Sequence, residues 1–266
     1  MINDFYVDAG NELLKGRFVM KKIVLLVLCV ALAVVMLTGC ITVVSPHGWR
    51  SRVHGRGAPE LHTFTTGEIT EVRVELLCDI LYSSAPSDSV TLEIQPNLMK
   101  YVVVEESGGV LTVRSTRNIH WSGHTSTPVL RVSTPSLSRV SHTGAGTFKA
   151  LDPINADSFS LNITGAANSK AELNVDSLSV RLTGAGDIEL FGRADVAKID
   201  IAGAGKLDAL DLLTRSTHIN FSGVSTVRVN CSDNLCVVGG GVGSVEYTGS
   251  PVIDISRGGL ITLKSV

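Results

Sequence analysis

Glu189 and Asp208 are the pair of carboxylates whose spacing invites a chemical reading. If they stand on neighbouring strands, roughly 4.8 Å separates them. Glycoside hydrolysis needs two carboxyl groups about 5–10 Å apart. Each also has a cationic neighbour in the same outward row, Lys170 for Glu189 and Arg228 for Asp208, and such neighbours favour a solvated structural role. His120-Trp121-Ser122-Gly123-His124 is the most suggestive polar–aromatic stretch. A tryptophan between histidines can stack on a sugar or join a metal site, yet no third ligand accompanies His120 and His124. A Trp121 packed over the junction between the N-terminal cap and the coils is the competing account. His142 and His218 read as isolated strand residues. Cys78, Cys231 and Cys236 lack zinc-ligand spacing. Cys231 and Cys236 flank Asp233-Asn234, which leaves open both a disulfide and two small buried hydrophobes.

Glycine supplies the other chemistry-bearing motif. Thr143-Gly144-Ala145-Gly146 returns as Thr164-Gly165-Ala166-Ala167, Thr183-Gly184-Ala185-Gly186, Ala202-Gly203-Ala204-Gly205, Ser222-Gly223-Val224-Ser225 and Gly240-Gly241-Val242-Gly243. A phosphate-cradling loop needs backbone N–H groups converging at a helix N-terminus, and no helical pattern follows any of these phrases. The alternative is geometric: each phrase is a corner that needs a positive φ and almost no side chain.

The elements that would position these residues follow from the spacing. Gly144, Gly165, Gly184, Gly203, Gly223 and Gly241 lie 21, 19, 19, 20 and 18 residues apart, a period that points to stacked units. Apolar residues alternate on both sides, as in Leu161-x-Ile163 and Ile188-x-Leu190, the mark of strand, turn, strand. The expected fold is all-β: a single-stranded parallel β-helix, right-handed, of about six coils of about twenty residues. Residues 137–266 would form these coils and a C-terminal cap, with 61–136 as β-rich first coils or a short antiparallel cap. In this arrangement outward residues form rows, and opposite charges meet at Lys170–Glu189, Arg181–Asp200, Asp208–Arg228 and Arg228–Glu246. Each exposed pair contributes only about 0.2–1 kcal/mol, so the rows select register more than they hold the fold.

Ahead of these strands, Lys21-Lys22 precedes an apolar run from Ile23 to Leu37 and then Thr38-Gly39-Cys40. A basic start, a short apolar run and small exit residues describe a secretory signal. The run is short for a span of about twenty residues. The charged residues before it point to translation starting at Met20. Leu37-Thr38-Gly39-Cys40 resembles the bacterial lipobox, which implies lipid attachment at Cys40, so that several acyl chains anchor the protein durably. With Ile41 rather than Asp after the cysteine, that resemblance implies the outer membrane. Residues 1–40 are then the signal segment and 41–60 a tether. A formal net charge of −2 proposes no nucleic-acid partner.

The glycine phrases, the opening Phe64-Thr65-Thr66-Gly67-Glu68-Ile69, and Val245-Glu246-Tyr247-Thr248-Gly249-Ser250-Pro251 followed by Ser256-Arg257-Gly258-Gly259 resemble one family. It is the putative auto-transporter adhesin, head GIN domain family, and the likeness covers roughly residues 61–266. Ala167, Ser225 and Gly239–Gly241 depart from the pattern. The resemblance implies a secreted or lipid-anchored β-helical envelope protein and brings no catalytic residues. The expected function is therefore a lipid-anchored, non-catalytic protein presenting a rigid face to a surface polysaccharide, an envelope protein or another copy of itself, with no cofactor and no metal. The alternatives are a carbohydrate-active enzyme, a polysaccharide lyase or hydrolase using Glu189 or Asp208, and an accessory structural or stress-related lipoprotein.

Overall fold

The structure, a computed structural model, describes residues 52–87, 89–116, 120–121 and 126–266. The signal segment, Cys40 and most of the tether lie outside the described residues. In chain order the strands are β1 (Arg52–Val53), β2 (Glu60–Thr65), β3 (Glu71–Glu75), β4 (Asp79–Ser83), β5 (Ser89–Ile94), β6 (Val102–Ser107), β7 (Val110–Ser115), β8 (His120–Trp121), β9 (Val129–Ser133), β10 (Arg139–Ala150), β11 (Ile154–Gly239), β12 (Val242–Thr248), β13 (Val252–Arg257) and β14 (Leu260–Ser265). A short helix, α1 (Pro96–Met99), begins on a proline, where the missing N–H costs nothing. It buries Leu98.

Alternation builds the sheet. Val72 and Val74 in β3, Ile80 and Tyr82 in β4, Leu111 and Val113 in β7, and Leu130 and Val132 in β9 all point into one core, while the residues between them face outward. β11 is extended over 86 residues. Laid straight it would span on the order of 280 Å at about 3.3 Å per residue. It bends at glycines instead and returns on itself, so that Asn155 meets Asn174 and Asp200 meets Asn220. Val140, Leu161, Val180, Ile199, Ile219 and Val237 are thereby buried together.

The pairing corrects the expected fold. A single-stranded parallel β-helix of about six like coils would contain parallel ladders alone. Parallel pairs do join β10 to β11, β3 and β4, and β11 to β12 and β13. But β2 and β9 both run antiparallel to β5, and β6 runs antiparallel to β7. The result is one mixed sheet, in the order β14-β12-β11-β10-β4-β9-β5-β2 along its main path, nearly closed and barrel-like around a single core. The physical cause lies ahead of the glycine phrases. Gly108 and Gly109 take φ of 61° and 82°, which closes β6 and β7 into a tight antiparallel hairpin. The hairpin then enters the sheet through the parallel β3–β7 ladder. Strands that lack the glycine phrase thus belong to the same sheet as those that carry it.

Candidate functional site

The outward face that follows the glycine corners carries a row of polar side chains. Thr147 at the end of β10 lies opposite Asn168, and Lys149 opposite Lys170. The next neighbours are Asp187 and Glu189, then Lys206 and Asp208. All of these but Lys149 line an open groove of about 350 Å³. Each strand ties to the next through side chains. The Thr147 N–H donates to Asp79 Oδ1 at 2.8 Å, and the Asp187 N–H to Asn168 Oδ1 at 3.0 Å. Lys170 Nζ sits 2.6 Å from Glu189 Oε1 and 5.7 Å from the centre of the Phe191 ring. Arg228 reaches in both directions, to Asp208 at 2.7 Å and to Glu246 at 3.1 Å. Lys206 adds a contact with Asp208 at 3.6 Å.

This electrostatic setting decides what the two carboxylates can do. Burial works to raise the pKa of Asp208, but the Arg228 hydrogen bond and charge, the Leu210 backbone and Lys206 outweigh it, and its carboxyl is held below the usual carboxylate range. A carboxyl so held stays ionised and is a poor general acid. Glu189 is occupied by Lys170. The groove is a surface of fixed, paired charges rather than an acid/base couple. Because Arg228 links an earlier turn of β11 to β12, Arg228→Met is expected to lower stability, read as a fall in the urea midpoint with the slope unchanged.

The six expected corner glycines fall in one column. Gly144, Gly165, Gly184, Gly203 and Gly223 all take φ between 107° and 140°. A Cβ on Gly165, Gly184, Gly203, Gly223 or Gly241 would press into the backbone of the preceding glycine in the column. His120 and Trp121 contribute backbone to the parallel β1–β8 pair. Their side chains and His124 lie outside the described residues. Cys78, Cys231 and Cys236 are free. The Cys231 thiol donates to the Arg215 and Asn234 carbonyls at 3.3 and 3.1 Å, and burial pushes the Cys78 thiol up to about 12. No group of three or more His, Cys, Asp or Glu side chains among the described residues is placed to hold a metal, and no helix among them is long and apolar enough to cross a membrane.

A second opening, of about 550 Å³, is framed by Thr66, Gly67, Glu68, Pro86, Ser87, Thr134 and Pro135. Sequence reasoning did not find it, because its walls come from three separate connections. Short polar links hold them together: the Ser136 hydroxyl donates to the Glu68 carboxylate, the Gly67 N–H to Glu106 at 3.2 Å, and the Thr134 hydroxyl to the Ile69 carbonyl at 2.7 Å.

A mixed, core-filled β-sheet with a charge-paired outer face and shallow openings defines a class of all-β scaffold that displays side chains on regularly spaced strands. Residues 68–251 match the model of the putative auto-transporter adhesin, head GIN domain, and the chain belongs to this family. Three solved structures share the fold: a putative adhesin from Bacteroides fragilis NCTC 9343 (20% identity, 80% of this chain and 100% of that chain, TM-score 0.75), a putative lipid binding protein from Parabacteroides distasonis ATCC 8503 (20%, 81% and 100%, 0.66), and a putative adhesin from Parabacteroides merdae ATCC 43184 (21%, 81% and 99%, 0.63). No curated protein matches the chain.

Proposed function

We propose that this protein is a lipid-anchored, non-catalytic component of the bacterial envelope, held at the outer membrane, that binds a neutral, hydroxyl-rich ligand, a surface glycan, along the charged outer groove. Membership of the adhesin family supports a binding role. The lipobox-like Leu37-Thr38-Gly39-Cys40 supports the anchor and the location. The observation that carries the ligand class is the make-up of the groove. Lys170, Lys206 and the adjoining Lys149 and Arg228 balance Asp187, Glu189, Asp208 and the adjoining Glu246, so the field favours neither an anion nor a cation. What remains is a row of donors and acceptors beside the Phe191 ring, the combination that suits sugar hydroxyls and an apolar sugar face. A glycan array probed with the purified protein tests this. Binding to particular neutral glycans is expected, weakened at least tenfold by Asn168→Ala combined with Asp187→Ala, about 1.4 kcal/mol. Failure across the array and in pull-downs from envelope lysates removes the adhesive role.

A further inference from the structure

β13 and β14 form an unguarded margin of the sheet. Among the described residues β13 has one strand neighbour, the 234–239 segment of β11, and β14 has one, β12. Backbone bonds from this margin, such as Gly258 N–H to Gly239 O and Leu260 N–H to Gly241 O, run back toward those same neighbours. No strand among the described residues pairs with the opposite edge of either. Val252 is 74% exposed and Leu260 76%. Open edges with apolar side chains are templates for strand addition.

We infer that a second copy of this chain covers this margin, β13 of each copy pairing antiparallel with β14 of the other. β13 runs into the Gly258-Gly259 corner and β14 runs out of it. A twofold axis through Gly259 therefore lays β13 of one molecule against β14 of the other in opposite directions, and it does so twice. The pleat then restricts the register. Ile255 and Leu263 both pack against the core, and they stand four residues before and four after Gly259, so the axis sets them opposite each other. In the same register Asp254 and Lys264, exposed and five residues on either side of Gly259, come face to face, as do Val252 and Val266. Sliding by two residues keeps the faces matched but sets Asp254 against Thr262 or Val266. Charge complementarity selects the register centred on Gly259. A partner of other sequence would have to reproduce both strands and their charges, whereas a second copy supplies them by symmetry.

Sedimentation equilibrium of the full chain in density-matched detergent tests the pairing. A dimer is expected. Asp254→Lys alone or Lys264→Asp alone should raise its Kd roughly tenfold or more, because each puts like charges opposite one another at both symmetric ladders. The combined Asp254→Lys and Lys264→Asp protein should recover to within about threefold of the original. Both sites are exposed, and an unchanged far-UV circular dichroism spectrum will confirm that each variant folds. A monomer at every concentration overturns the inference. So does a dimer indifferent to both reversals, which would be held together elsewhere, for example through the apolar run from Ile23 to Leu37, and so does recovery of a different protein in its place.

Discussion

Gly203→Ala is expected to lower stability by about 3 kcal/mol or more, enough to move the thermal midpoint by roughly 6–12 °C in a domain of this size. Two costs add. At φ 135° an alanine is strained whatever space surrounds it. Its Cβ would also press into the Gly184 carbonyl, which belongs to backbone and cannot swing aside as a flexible side chain could. Relief would require moving the neighbouring strand, which Gly165 beneath it holds by the same close approach. Gly240→Ala is the internal control. Gly240 has no heavy atom within 4 Å of a built Cβ and no positive φ, so its replacement should stay within about 0.5 kcal/mol. Urea unfolding of both variants measures the contrast. Equal effects would show that the glycine column is not held by close backbone approach.

The charged rows were legible because their information is local and periodic. Lys170–Glu189, Arg181–Asp200, Asp208–Arg228 and Arg228–Glu246 all form, at 2.6, 3.6, 2.7 and 3.1 Å, since the glycine spacing alone brings those residues opposite one another. The sense of the sheet ahead of residue 137 was not legible. Alternation in Val90-x-Leu92-x-Ile94 reads the same for a parallel or an antiparallel neighbour. Which one β5 takes depends on β2 and β9, set by contacts between residues 24 to 40 positions apart, as in Leu61 opposite Glu93. α1 was hidden for a related reason. Gln95-Pro96-Asn97 signals a break, and one helical turn is too short to show a period. The opening near Glu68 and Pro135 is assembled from distant connections and leaves no mark in any single stretch.

His142 is the site where the same register leads to the second large effect. It occupies a position opposite Ile163 on one side and Val74 on the other, both core residues, and it is itself only 1% exposed. Neither ring nitrogen makes a hydrogen bond of proper geometry. Burial, the main influence, pushes its pKa below 6.5, and nearby backbone at Leu76 and Ala145 and the charge of Asp79 offset this only in part. The unfolded chain takes up a proton near pH 6.5, whereas the folded chain must resist it to a lower pH. The unfolded state therefore binds more protons in that window, and stability that is complete above about pH 6.5 declines as the pH falls through it. His142→Ile replaces the ring with the residue its own neighbour uses. It removes two buried nitrogens that lack partners, and a gain of about 1–3 kcal/mol at neutral pH is expected. The gain should widen toward pH 5, because the wild type loses stability there and the variant has no group at this position to titrate. Urea midpoints measured from pH 8 to pH 5 test both parts. A variant no more stable than the wild type, with a parallel pH profile, would mean that the ring is satisfied in solution by a partner such as an ordered water.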